Sequence, residues 1–169
     1  MPDLITHVAL SHLVRRPFDR RASQGKILPL RPLFYLGTIL PDILTRPWYI
    51  LFPITHDWTL CLHTPLGMLL FTGILALFFE SSLRKRAFIN LSTGVGCHFL
   101  LDALQKQVTG NNFWLFPFSW KSVEYGIAYA EDYLDLIPLW IGMIGIMEAG
   151  IYIWKKKMRM GRWSDGVLE

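Results

Sequence analysis

His98 and Asp102 stand four residues apart in the run His98-Phe99-Leu100-Leu101-Asp102. Residues i and i+4 share one face of a helix, so an imidazole and a carboxylate at this spacing can be aimed at one ion. The neighbours are apolar, and a carboxylate at membrane depth costs about 2.5–3.5 kcal/mol on insertion scales, so Asp102 needs a partner or an interfacial position. Two chemistries suit such a pair: ligation of a divalent metal, or a His–Asp hydrogen bond that joins helices. The same atom types recur at Asp42 after Pro41, at His63 before Thr64-Pro65, at His56 in Thr55-His56-Asp57, and at His7 near the start of the chain. Taken singly, Asp42 reads as a turn carboxylate beside a proline, His63 as an interfacial histidine bonded to a carbonyl, His56 as loop, and His7 as a satisfied histidine on a short amphipathic helix.

These residues must be positioned by a chain of 169 residues, 52% apolar and only 18% charged. Soluble domains usually carry about 25% charged residues, so the shortfall argues for a membrane protein and against disorder. The length favours a single domain. The net charge of +4 is carried in blocks: Arg15, Arg16, Arg20, Arg21 and Lys26; Arg84, Lys85 and Arg86; Lys155, Lys156, Lys157, Arg159 and Arg162. Each block flanks an apolar run, the pattern of positive-inside loops, whereas a nucleic-acid surface would bring a recognition motif with it. Cys61 and Cys97 form neither a disulfide framework nor a paired zinc signature, and no cationic stretch or cleavage site marks a removable signal peptide.

The clearest spanning helix runs from about Leu136 to Trp154, with Glu148 as its one formal charge. Leu66 to Phe79 and Ala87 to about Leu104 read as an antiparallel hairpin around Glu80 and the Arg84-Lys85-Arg86 loop, its first helix capped by Thr64 and opened by Pro65. Prolines divide Ile27 to Ile54 into a helix from about Pro32 to Ile43 and an irregular stretch. Asp3 to Val14 makes a helix of only about 18 Å, too short to cross a bilayer. Val108 to Glu131 is expected to be loop or interfacial segment. The fold class is therefore all-α: an integral membrane helical bundle with about three to four spanning helices plus a short N-terminal helix. Residues 1–155 form the membrane-embedded domain and 156–169 a basic cytoplasmic tail.

Placing the basic blocks in the cytoplasm brings His7, Asp42, His63 and Asp102 to the outer side of the membrane. Four of the five histidines and two acids then lie at one level, a convergence that favours a metal site over independent structural roles. Glu131, Asp132 and Asp135 lie on that side as solvated surface. His12, five residues from His7, points well round the helix and reads as exposed or interfacial. Cys97 projects about 100° from His98, against both serving one ion. Glu148 lies mid-span with no lysine or arginine partner evident at its depth, and is either functional or protonated and hydrogen-bonded across the bundle. Trp48, Trp58, Trp114, Trp120 and Trp140 fit an interfacial aromatic belt.

Pro2-Asp3-Leu4-Ile5-Thr6-His7, Leu36-Gly37-Thr38-Ile39-Leu40-Pro41-Asp42, Leu62-His63-Thr64-Pro65, Gly96-Cys97-His98-Phe99-Leu100-Leu101-Asp102 and Phe116-Pro117-Phe118-Ser119 follow one another in that order. Over about residues 1 to 120, this series resembles the inner-membrane metal-dependent hydrolases of the LexA-regulated type in bacteria. The glycine-(three residues)-Pro-Asp and His-(three residues)-Asp elements are also similar to those of zinc-dependent phospholipases C. The resemblance implies metal ligands at His7, Asp42, His63, His98 and Asp102, with His56 standing where the family places an earlier histidine. It departs from the pattern in the longer spacing from His56 to His63 and in Leu62-His63-Thr64-Pro65, which replaces Thr-His-Ser.

A hydrolase of this kind would use zinc or manganese to lower the pKa of bound water toward about 7. Asp42 or Asp102 would bridge metals or act as general base. The expected substrate is an ester or phosphodiester, of a membrane lipid or a small molecule, at the outer face of the bacterial inner membrane. Two other classes stay open: a metal or proton transport protein, whose polar groups should continue across the membrane, and a non-catalytic scaffold with no bound metal.

Overall fold

A computed structural model describes residues 4–22, 30–106, 113–121, 126, 128–129 and 135–165. The helices are α1 (Leu4–Ala22), α2 (Arg31–Leu51), α3 (His56–Leu62), α4 (Pro65–Leu77), α5 (Ser81–Leu104) and α6 (Ile137–Asp165), with a 3-10 turn at Pro53–Thr55 before α3. Two short strands, β1 (Gln105–Lys106) and β2 (Ala128–Tyr129), pair in parallel directly after α5, an element the sequence reading does not contain.

The all-α expectation agrees with this architecture. Among the described residues two helices, Ser81–Leu104 and Ile137–Lys157, are long and apolar enough to cross a membrane. A third span is reached if the pair Pro53–Leu62 and Pro65–Leu77, bent by 76°, counts as one. The surface suits lipid. Leu70, Ile74 and Phe78 on and after α4, and Ile141, Ile146 and Ile153 on α6, are exposed, whereas His7, Thr38, Asp42, Thr72, His98 and Asp102 are buried. An exposed apolar patch of this kind on a water-soluble monomer would be an aggregation hazard.

Four helix boundaries differ from the expected ones, each for a local reason. The second helix does not stop near Ile43 but runs to Leu51 with Pro41 and Pro47 inside it. A proline removes one backbone bond, but ending the helix in an apolar medium would leave several polar groups unsatisfied. The Thr45 hydroxyl donates to the Pro41 carbonyl at 2.7 Å within this stretch. The N-terminal helix extends past Val14 to Ala22, because Arg15 and Arg16 are held by other helices instead of ending in a solvated loop: Arg15 donates to Asn90 Oδ1 at 2.9 Å and lies 4.4 Å over the Phe34 ring. The Arg84-Lys85-Arg86 triad belongs to the first turns of α5 and not to a loop, with Arg84 reaching back to the Leu77 carbonyl at the end of α4. Helix α6 continues beyond Trp154 to Asp165.

The Thr64 cap is as expected: its Oγ1 accepts from the Gly67 N–H at 3.1 Å, with Pro65 in the first turn of α4. The bend before α4 is tight because Gly67 lets the Cys61 carbonyl approach to where a Cβ would sit. The densest packing joins α2 to α5. There Gly37 and Gly94 face each other's backbones so closely that a Cβ on either would collide with a carbonyl of the partner helix, Leu91 for Gly37 and Phe34 for Gly94. Leu40, Met68, Val95 and Phe99 form the apolar cluster beside this crossing, with Trp114 packed on Phe99. Helix α1 packs against α2, α5 and α6.

Candidate metal centre

The close crossing of α2 and α5 decides the state of His98. It brings the Thr38 carbonyl to 2.8 Å from His98 Nδ1, which therefore carries the proton and donates it. The remaining nitrogen, Nε2, is fully buried and has no well-aligned hydrogen-bond partner; in the neutral ring it carries the lone pair. It faces two carboxylates, Asp102 Oδ2 at 3.2 Å and Asp42 Oδ1 at 3.8 Å. A buried imidazole lone pair aimed at carboxylate oxygens is repulsive without a cation or proton between them, so the arrangement fits a metal ion.

Three further elements converge on the same point. Helix α1 contributes His7, whose Nε2 is 3.2 Å from Asp102 Oδ1. The α3–α4 bend contributes His63, whose Nε2 is 3.0 Å from Asp102 Oδ2 and whose Nδ1 is 3.4 Å from Thr45. Helix α2 contributes Asp42 through the turn that contains Pro41. The His7 and His98 rings lie 4.5 Å apart, and those of His63 and His98 5.4 Å apart.

Among the described residues two groups of donor atoms result, the atoms of each lying within 4.8 Å of one another: His7, His98 and Asp102; and Asp42, His63 and His98. Each supplies three nitrogen and oxygen ligands, the number a catalytic zinc takes from protein while a fourth position stays open. Both groups draw on His98, and with Nδ1 committed to Thr38 only its Nε2 can ligate. The groups are thus overlapping parts of one centre. His7, Asp42, His63, His98 and Asp102 would hold the ion, and when bound it would activate a water at neutral pH.

His56 is not brought to this centre. It opens α3 with its ring half exposed, its Nδ1 3.3 Å from Asp57 Oδ1, and its edge toward Tyr49. Cys97 belongs to neither donor group. Asp135 is exposed, while Glu131 and Asp132 lie outside the described residues.

Two features escape the sequence reading. Arg46 Nη2 sits 2.7 Å from Asp42 Oδ2 as an i,i+4 pair. This would have been legible had the helix been carried past Ile43, because the spacing is the ordinary one for a helical ion pair. The second corrects the reading of Glu148 as lacking a basic partner. Arg16 binds it through Nε and Nη2, the latter 2.6 Å from Oε2, and His12 Nε2 lies 3.2 Å from Oε1. His12 Nδ1 in turn meets the Tyr35 hydroxyl at 2.8 Å, so His12 is part of a helix-joining network and not a free interfacial group. No short-range signal links residues 132 positions apart.

A family model described as the YdjM inner membrane protein matches residues 1–165. The chain belongs to the YdjM inner membrane protein family. It is an integral inner-membrane protein, in keeping with its apolar helices. No curated protein and no solved structure matches it. The YdjM match covers every candidate ligand, from His7 to Asp102, as well as the Glu148 network.

Proposed function

We propose that this YdjM-family protein is a membrane-bound metal-dependent hydrolase acting on an ester or phosphodiester at the outer membrane face. The observation that carries this reading is His98: its Nδ1 donates to the Thr38 carbonyl, and its buried Nε2 faces Asp42 and Asp102 without a well-aligned hydrogen bond. A helix-joining histidine would spend both nitrogens on hydrogen bonds.

In this reading His7, His63 and His98 with Asp42 and Asp102 hold a divalent ion, zinc best matching the mixed nitrogen and oxygen donors and manganese the alternative. The oxygen of water bonds to the acyl carbon or phosphorus of the substrate, the bond to the alcohol oxygen breaks, and that oxygen takes up a proton. Asp42 and Asp102 are the proton acceptors within the donor set. Asp102 lies between His7 and His63, one on each oxygen at 3.2 and 3.0 Å, the spacing that ligands of a shared ion would have. The basic blocks lie in the cytoplasm by the positive-inside rule, which sets the centre toward the outer leaflet and its lipid headgroups.

Metal content by elemental mass spectrometry tests the proposal on detergent-purified wild type and on His98→Ala and Asp102→Ala, with folding checked by circular dichroism. We expect about one or two zinc or manganese ions per chain, lost in folded variants. Wild type without metal under replete conditions overturns it and leaves a scaffold.

Metal or proton transport is the second reading, favoured by the His12–Tyr35–Glu148–Arg16 network that continues from His7 along α1. The Arg16 guanidinium already neutralises Glu148, which suits a fixed charge pair better than a carrier. Zinc uptake into loaded vesicles separates the two readings.

A further inference from the structure

Gln105 is the first residue after α5, three positions beyond Asp102 and seven beyond His98, and so continues the helix face that carries both donors. Side chains of a helix lean toward its N-terminus, so a long residue at this end reaches back over the turn that holds Asp102. Gln105 is 2% exposed, against 0% for His98 and Asp102, and its Oε1 has no hydrogen-bond partner among the described residues. The backbone is held on both sides of it. The Gln105 N–H donates to the Asp102 carbonyl, and in β1 the residue stands in register with Ala128 of β2. Gly126, just before β2, lies so close to Lys106 that an added Cβ would overlap the lysine side chain.

A buried amide without a partner costs about 1–3 kcal/mol, and leucine or methionine would fill a similar volume without that cost. A neutral amide adds no charge to the donor set and takes up no proton, so what it offers a ligand is a hydrogen bond. A hydroxyl suits it in either orientation of the amide, because it can donate to the oxygen or accept from the nitrogen. A cationic group would be served better by a carboxylate, which the centre already has in Asp42 and Asp102.

We propose that Gln105 binds a free hydroxyl on the alcohol part of the substrate and makes the centre selective for esters of a polyol, glycerol being the simplest type, over esters of a simple alcohol. The inference rests on the hydrolase reading and gives its site a substrate class, whose hydroxyl a lipid headgroup and a soluble polyol ester both carry. A site that pairs its own buried polar group with the substrate rejects the analogue lacking that group, because binding the analogue leaves the amide unpaired.

The test uses full-length zinc-loaded protein in detergent and compares glycerol 3-phosphate with propyl phosphate by calorimetric titration. Wild type is expected to bind the glycerol compound at least about tenfold more tightly, about 1.4 kcal/mol. Gln105→Leu is expected to keep its metal, to bind the two within about twofold, and to unfold at the wild-type temperature or above, since an unpaired amide has left the core. Gln105→Met, nearer in shape, gives the same readings where leucine fails to fold. A hydroxyl preference unchanged in the folded variants overturns the inference; a lower unfolding temperature alongside it makes Gln105 the partner of a structural water only. Loss of metal in both variants also overturns it, by making the amide a ligand of the ion. So does tighter binding of phosphoethanolamine than of glycerol 3-phosphate to wild type, which would make the subsite one for a cation. Cleavage of phosphatidylglycerol in vesicles with weak action on glyceryl 4-nitrophenyl phosphate identifies a headgroup as the source of the hydroxyl; the reverse identifies a soluble ester. Wild type that binds no metal or cleaves no ester, yet keeps the Gln105-dependent preference, retains the hydroxyl site and loses the hydrolase reading alone.

Discussion

His98 has a single nitrogen to offer an ion, since its other one donates to Thr38, and this limits how the five donors can be shared. One ion can take His98 together with neighbours from both groups, or two ions can divide the set, but His98 serves only one of them. His63 and His56 give the sharpest contrast among the histidines. His63 sits 3.0 Å from Asp102 at the bend, whereas His56 is half exposed beside Asp57. His63→Ala is therefore expected to weaken metal binding by more than the 10–100-fold typical of losing an outer partner, and His56→Ala to leave stoichiometry and affinity at wild-type values, roughly within twofold. Competition titration against a chromophoric chelator measures both. Equal loss in the two variants would show that α3 moves onto the centre when metal binds.

At the level of elements, the α2–α5 crossing is what sets the ring of His98. Gly37 and Gly94 allow backbone contact, and the Thr38 carbonyl reaches His98 as a consequence. Gly94→Ala should therefore separate the helices, destabilise the fold by about 1–3 kcal/mol through overpacking, and weaken metal binding at the same time. Gly96→Ala, two residues away where an added Cβ meets nothing within 4 Å, serves as the control. It should be neutral or more stable by up to about 1 kcal/mol, the helix-propensity gain of alanine over glycine. Thermal unfolding in detergent, with metal affinity measured in parallel, checks both variants. The α4–α5 hairpin and its Thr64 cap were legible in the sequence because capping and apolar runs are local. Helix α2 was not, because proline is a local signal for a break while the need to satisfy backbone groups in an apolar surrounding is a property of the whole environment.

For the molecule as a whole, α6 is fastened to α1 by the Glu148, Arg16 and His12 network, and α1 carries His7 into the centre on its other side. Glu148→Gln and Arg16→Gln should each lower the unfolding temperature in detergent by leaving one charge without its counterpart, and the double variant should lose less than the sum of the two. Strict additivity would show that the pair contributes nothing. The orientation is open to direct measurement: a cysteine placed at Ile54, exposed in the 3-10 turn before α3, should react with an impermeant maleimide from the outside of intact cells, and one placed at Lys85 only after lysis. Composition pointed to a membrane chain and the apolar runs with basic flanks pointed to helices, because few charges suit an apolar surrounding and basic blocks mark the ends of spans. The types and spacing of His98 and Asp102 likewise made a candidate donor pair legible, since i,i+4 faces are local geometry, and the structure brings His7, Asp42 and His63 beside them. Only the tertiary structure decided which nitrogen of His98 faces the carboxylates, that Asp42 is shared with Arg46, that His56 stands apart, and that Glu148 has a basic partner. Each of these depends on how closely two segments distant in sequence approach, and that is set by packing across the bundle.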